Sequence, residues 1–321
     1  MTFAQGEREL TQRASRHTYQ NFHGILSKNS QMHRLFVTIQ RAAKTKAPIF
    51  ICGETGVGKE LVAKALHLES SRSKEPFIAF NAANFSHDLI ESQLFGHKKG
   101  AFTGAIDDAE GLLRSAKQGT LFLDEITCLP VNIQAKLLRV LQEKQFYPVG
   151  DFNTKTFNAS LISASNLSLK EAVTYDNFRE DLRYRIEVIP LYVPPLRKRK
   201  EDIILLFRHF LNETSGINEW VIDRSLQSAL TNYRWPGNIR ELENCAQFVA
   251  TMANSTTLKL YNFPKSIQES NEKAPDNHTP LDADIILQAL DGNKGNRSKA
   301  ARELSISRMT LWRKMKEFDL A

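Results

Sequence analysis

The amino-acid sequence predicts an α/β protein, a parallel sheet covered by helices, followed by a small all-α unit. Three observations lead there. From about His23 to Met252, short apolar runs alternate with stretches of helical periodicity, the pattern of buried strands roofed by helices. A glycine-rich loop stands between one such run and a helical stretch, where a nucleotide-binding sheet carries it. The stretch from Gly292 onward holds eight basic and three acidic residues, a net +5 out of +7 for all 321 residues, and so points to a polyanionic partner, nucleic acid before membrane.

Taken in order, residues 1–22 are polar and aperiodic and too short to form an independent sensory domain, so regulation is expected from outside them. Residues 47–52, 76–80, 120–123 and 159–163 read as buried parallel strands, because each is a short, nearly continuous apolar run. Between them Ile133, Leu137, Val140 and Leu141 share one helical face, as do Ile203, Leu206, Phe207, Phe210 and Leu211. Residues 265–280 contain two prolines and no aromatic residue, too little apolar surface to offset the entropy of ordering, and predict a linker. Helical periodicity resumes at Asp282 and, after a Gly/Asn-rich turn, continues in two short helical patterns.

With 41% hydrophobic and 25% charged residues the chain has the balance of a globular protein, neither disordered nor fibrous. No apolar run approaches the roughly 18 residues that span a bilayer, and the start lacks a secretory stretch, so a cytoplasmic protein with no membrane insertion is expected. Cys52, Cys128 and Cys245 lie too far apart for a disulfide framework or a zinc site and read as buried thiols.

The chemistry begins at Gly53-Glu54-Thr55-Gly56-Val57-Gly58-Lys59-Glu60, between the strand ending at Cys52 and the helical run from Leu61. Glycines let the backbone wrap an anion with its N–H groups inward, the helix N-terminus adds a positive field, and Lys59 reaches the terminal phosphates. Glu60 replaces the Ser or Thr that would ligand magnesium, so other oxygens and water must hold most of the metal. Downstream, the strand 121–123 runs into Asp124-Glu125 at its carboxyl end, where ligands of open α/β sheets sit. Asp124 suits magnesium, and Glu125 suits orienting and deprotonating an attacking water. A nucleoside triphosphate and Mg2+ are therefore the expected ligands.

Four segments together, Gly53 to Glu60, Phe95 to Ala105, Gly119 to Glu125 and Trp235-Pro-Gly-Asn-Ile-Arg-Glu-Leu242, resemble the sigma-54-dependent transcriptional activators, or bacterial enhancer-binding proteins, of the AAA+ ATPase class. The resemblance spans about residues 23 to 321 and covers the Glu60 anomaly. It implies an AAA+ P-loop NTPase with an α-helical lid and a small helix-turn-helix domain. It divides the chain into a segment 1–22, an α/β ATPase subdomain 23–195, a lid 196–255, a linker 256–280 and a DNA-binding domain 281–321. It also implies roles the residues alone do not give: Asn81 as the switch that holds Glu125, Asn166 as the sensor ending the next strand, and Arg240 as the second sensor on the lid. Arg179 and Arg185 match arginines inserted into a neighbouring subunit's site. From the local sequence they could equally pair on the surface with Glu180, Asp181 or Glu187. Lys98 stands where relatives often carry an acidic residue, and Ser160 where many carry arginine, which implies altered coupling.

Gly100-Ala101-Phe102-Thr103-Gly104-Ala105 is too polar and flexible for a strand, and an aromatic on such a tip suggests a contact surface. The family likeness makes it the loop that touches sigma-54. At the other end, residues 298–304, a turn at Ser305-Ile306 and residues 307–318 resemble a Fis-like helix-turn-helix. Leu311, Met315 and Phe318 form an inward stripe for Ala300, Ala301 and Leu304, leaving Ser307, Arg308, Thr310, Arg313 and Lys314 for DNA, with Arg308 on base edges and Arg313 and Lys314 on phosphates. The whole implies a bacterial, nucleoid-associated activator that binds an upstream enhancer and assembles from dimer to hexameric ring. It would use ATP hydrolysis to remodel sigma-54 RNA polymerase holoenzyme from closed to open complexes, under a separate trans-acting regulatory protein.

Overall fold

A computed structural model describes residues 19–175, 177–217, 219–272, 283–293, 296–304, 306 and 308–318. Its first elements are a hairpin of β1 (Gln20–Phe22) and β2 (Ile25–Ser27), then α1 (Ser30–Ala42), whose first turn is capped by the Asn29 side chain. There follow β3 (Ile49–Cys52), α2 (Lys59–Glu69), β4 (Phe77–Asn81), α3 (His87–Phe95), α4 (Leu112–Ser115), β5 (Thr120–Asp124) and α5 (Val131–Glu143). A small hairpin, β6 (Gln145–Phe146) with β7 (Lys155–Thr156), precedes β8 (Ser160–Ser165), α6 (Leu169–Thr174), α7 (Glu180–Ile186) and β9 (Ile189–Tyr192).

The five long strands form one parallel sheet in the order β4-β5-β8-β3-β9. Alternate strand residues feed two cores. Phe50, Phe80, Leu121, Leu123 and Leu161 pack with α5 and α7, while Ile49, Ile51, Phe122, Ile162 and Leu191 pack with α1 and α2. All four expected strands are present. The fifth, β9, contains Pro190 and was not expected; it pairs only with β3, at the sheet edge, where a missing N–H leaves no ladder bond unmade.

Beyond the sheet, α8 (Lys200–Ser215), β10 (Val221–Ile222), α9 (Arg224–Asn232) and α10 (Asn238–Met252) build a helical subdomain. Its core holds Phe207, Leu226, Leu230, Trp235, Leu242 and Val249. The expected linker 256–280 is partly folded. β11 (Thr257–Leu258) pairs in parallel with β10, and α11 (Lys265–Glu272) follows; Leu258, Phe263 and Ile267 are buried in the same core. Three well-spaced apolar residues suffice to dock that stretch, and its mean composition hides them. Residues 273–280 lie outside the described residues.

The chain divides into two compact units, Met1–Gln268 and Glu269–Ala321. In the second, α12 (Ala283–Gly292), α13 (Arg297–Glu303) and α14 (Arg308–Glu317) enclose Ile286, Ala289, Leu290, Ala300, Ala301, Leu311 and Met315, with Leu304 and Phe318 packed beside them. That is the stripe expected from the sequence. No helix among the described residues is long and apolar enough to cross a membrane.

Candidate functional site

The register of the sheet assembles the site. Asn81 and Asp124 end β4 and β5 as direct partners, and Cys52 and Ser165 end β3 and β8 in the same way, so four strand ends present their chemistry at one edge. Between Cys52 and α2 the loop turns on Gly56 at φ 79° and Gly58 at φ 97°, the left-handed region that glycine enters without a steric penalty. A Cβ on Gly56 would run into the carbonyl oxygen of Gly237, so that glycine also permits the loop to touch the helical subdomain.

Lys59, the first residue of α2, is buried, and its Nζ donates to the Gly53 carbonyl at 3.0 Å and lies 3.3 Å from Glu125 Oε1. Glu125 follows the strand with φ 49°, which swings its carboxylate toward Lys59. Burial pushes the Asp124 carboxyl above the ordinary carboxylate range; Lys59 opposes that rise and Glu125 reinforces it. Asn81 Nδ2 donates to Asp124 Oδ2 at 3.2 Å. The amide thus meets Asp124, its partner in the strand register, while the family likeness implies that Asn81 holds Glu125 until the nucleotide state changes. Glu54 accepts both guanidinium nitrogens of Arg197 at 2.6 and 2.5 Å, which lowers its pKa. Glu60 points outward and pairs with Lys64 at 2.7 Å. Thr55, Asn166 and Arg240 are exposed, and Val57 is buried against the core of α1 and α2.

This set fits a nucleoside triphosphate with magnesium. The loop offers backbone N–H groups at a helix N-terminus and one ammonium to a polyanion, and Asp124 offers the hard oxygen that magnesium prefers. Magnesium bound there would neutralise charge on the phosphates. Glu125, whose carboxylate lies 3.3 Å from the Lys59 ammonium, is the residue type that can take a proton from water.

The arginines lie elsewhere on the fold. Arg179 binds Asp181 through two bonds, Nε to Oδ1 at 3.0 Å and Nη2 to Oδ2 at 2.7 Å, and Arg185 Nη2 donates to the Leu141 carbonyl at 3.0 Å. The pair to Glu187 is made by Arg183. Between α3 and α4 the 100–105 loop projects. Gly100 N–H donates to Ala105 O at 2.9 Å, and at the base Asp108 accepts from the Lys98 ammonium and, at 2.9 Å, from Lys99 N–H. Phe102 is 42% exposed, its ring edge-on to His97. Sequence reasoning missed the neighbouring loop 147–154, which bridges to His97 through Val149 and carries Phe152, 95% exposed. A lone aromatic between Asp151 and Asn153 was the available signal.

Ser160 pairs with Thr120 in the sheet, away from the strand ends that carry the site. The expectation of three buried thiols fails at Cys128, which is exposed one turn after Glu125; Cys52 is half-buried and only Cys245 is buried, its thiol pushed up to about 12. In the second unit Thr310 and Lys314 are half-buried, and Lys314 Nζ sits 5.3 Å from the Phe318 ring centre. Ser307 and the side chains of Arg308 and Arg313 lie outside the described residues.

Comparison with known proteins places the chain in a family. Residues 25–192 match the sigma-54 interaction domain, 197–280 the AAA+ ATPase lid domain, and 279–318 the Fis family of bacterial regulatory proteins. The regulatory protein AtoC of Escherichia coli is 40% identical over 312 residues, covering 92% of this chain and 68% of that protein. The DNA-binding transcriptional regulator NtrC of Salmonella typhimurium is 38% identical over 322 residues, covering 90% and 69%. The crystal structure of NtrX from Brucella abortus in complex with ATP superposes with a TM-score of 0.70 at 30% identity, covering 98% of this chain and 72% of that one. The chain is therefore a member of the sigma-54-dependent activators, an AAA+ protein that binds DNA and uses ATP hydrolysis to activate transcription.

Proposed function

We propose that the chain assembles from dimers into a hexameric ring in the bacterial cytoplasm, bound at an upstream enhancer on the nucleoid. There it converts ATP hydrolysis into remodelling of the closed sigma-54 holoenzyme complex into an open one. One observation carries this reading: the loop 100–105 is inserted between the same two strands, β4 and β5, whose ends hold Asn81, Asp124 and Glu125. The chain joining those two strand ends runs through Phe102.

In this reading Lys59 and the backbone of residues 53–60 hold the triphosphate, Asp124 holds magnesium and Glu125 activates water. Asn81 is the switch that holds Glu125 until the nucleotide state changes, Asn166 and Arg240 are the two sensors, and Arg179 and Arg185 serve the neighbouring subunit's site. Residues 100–105 press on sigma-54. Ser307, Arg308, Thr310, Arg313 and Lys314 meet DNA. The subdomain and domain limits 23–195, 196–255 and 281–321 belong to the same reading, as does restraint by a separate regulatory protein. The test is isomerisation of sigma-54 holoenzyme on heteroduplex promoter DNA. ATP should drive it with this protein and a non-hydrolysable analogue should not; no isomerisation with ATP overturns the proposal.

A further inference from the structure

Three consecutive carbonyls of the phosphate loop are tied by groups from the helical subdomain or the segment leading into it. The Asn238 Nδ2 donates to Thr55 O at 3.0 Å. The N–H groups of Ile239 and Arg240, opening α10, donate to Gly56 O at 2.9 and 3.4 Å. Arg199 Nη2 donates to Val57 O at 3.0 Å. The residue before them joins in, since the Glu54 carboxylate accepts from Arg197 and, at 3.3 Å, from Asn238 Nδ2.

Both side chains are built for that task. Asn238 is fully buried and sits at φ 53°, a left-handed backbone that asparagine tolerates better than most residues; its Oδ1 accepts from Leu196 N–H at 2.8 Å. Arg199 is 1% exposed, makes no ion pair among the described residues, and leaves its Nε without a partner. Burial lowers its pKa to about 10, so it keeps its charge at neutral pH. A buried cation with no carboxylate in direct contact, though Asp202 lies near enough to favour its charge, is costly to keep, and its one oxygen acceptor among the described residues is a phosphate-loop carbonyl.

The trans peptide explains what the ties achieve. In a planar trans unit the carbonyl and the following N–H point in opposite directions. Holding Thr55 O and Val57 O toward the helical subdomain therefore turns the N–H groups of Gly56 and Gly58 the other way, free to meet an anion. Releasing the ties would let those peptide planes rotate and present carbonyl oxygens to phosphate.

We propose that Asn238 and Arg199 are positioning residues that set the phosphate loop from the helical subdomain, so that docking of α10 on the loop and affinity for nucleotide are one coupled equilibrium. The proposal rests on the reading of this loop as the ATP site. Coupling of this kind is reciprocal: nucleotide must tighten the docking of α10 by the factor by which docking tightens nucleotide.

The test uses the full chain and a fluorescent ADP analogue. Asn238→Asp replaces the donor by a carboxylate facing Thr55 O and Glu54, Asn238→Gly removes the side chain without backbone strain, and Arg199→Met removes the buried charge. Arg199→Lys keeps the charge. Asn238→Asp and Arg199→Met should each raise the dissociation constant and the KM for ATP at least tenfold, while kcat at saturation changes far less, with Asn238→Gly and Arg199→Lys intermediate. In the parent protein, saturating nucleotide should slow hydrogen exchange at the Ile239 and Arg240 amides, a readout that needs no variant to fold. Unchanged exchange in a parent that binds nucleotide overturns the coupling alone, as do variants whose melting temperature falls while their dissociation constants stay within twofold. A parent that binds no analogue overturns the site and the proposal together.

Discussion

Glu125 occupies the left-handed backbone region at φ 49°, where a residue with a Cβ is held at a cost of about 1–3 kcal/mol. Strain of that size persists where surroundings over-determine the conformation. Here the next residue, Ile126, is fully buried, and the Lys59 ammonium receives the carboxylate. Lys59 and Glu125 should then separate cleanly by mutation, one as ligand and the other as base. Glu125→Gln, isosteric and uncharged, is expected to bind labelled nucleotide as the parent does and to lose about 10²–10⁴-fold in turnover. Lys59→Ala is expected to lose binding itself, because the buried Lys59 ammonium sits inside the loop, bonded to the Gly53 carbonyl. Phosphate release and nucleotide titration on the two variants check both; equal loss of binding in the two would reject the division of labour.

At the scale of elements, the loop between α3 and α4 is held at its base and left free at its tip. The Lys98–Asp108 pair and the paired backbone bonds between His97 and Ala109 close the neck, and Gly150 comes so close to Ala101 that a Cβ there would overlap it. Under the proposed function, such a stirrup would carry displacement from its neck to Phe102 without needing an apolar core of its own. Phe102→Ala is accordingly expected to leave ATP turnover intact and abolish open-complex formation, checked by phosphate release and promoter melting in the same reaction; melting at the parent level would show that the tip is not the contact. The sequence revealed this loop because glycines and an exposed aromatic form a local pattern. It revealed the phosphate loop and Asp124-Glu125 for the same reason. It could not reveal Arg199, which sits in the basic run Arg197-Lys198-Arg199-Lys200 and reads as solvated until tertiary packing buries it. Asn238 was visible only as a letter in a motif, since its partners Thr55 and Leu196 lie 183 and 42 residues away. The strand β9 and the folded part of 256–280 escaped because Pro190 and sparse apolar residues are judged locally, whereas edge position and core contacts are set by the rest of the chain.

The whole molecule poses the question of what completes the site. Within one chain Arg179 is engaged by Asp181 and Arg185 by the Leu141 carbonyl, so both guanidiniums bond away from Lys59, Asp124 and Glu125. Arg179 is held by a solvent-exposed ion pair, a weak tie that a neighbouring subunit's triphosphate can replace. If the arginines act in trans, each hydrolytic unit is built from two chains, one supplying Lys59 and Glu125 and the other supplying Arg179. Specific ATPase activity should then rise with protein concentration, and Arg179→Ala should cost about 10³-fold or more in kcat with little change in nucleotide affinity. The sharper experiment mixes two inactive proteins. In a ring containing both Arg179→Ala and Glu125→Gln chains, an Arg179→Ala chain keeps its Glu125 and can receive an intact arginine from a Glu125→Gln neighbour, so activity should reappear on mixing. An arginine acting within its own chain predicts no recovery at any ratio, because every chain would still lack one half of its own site.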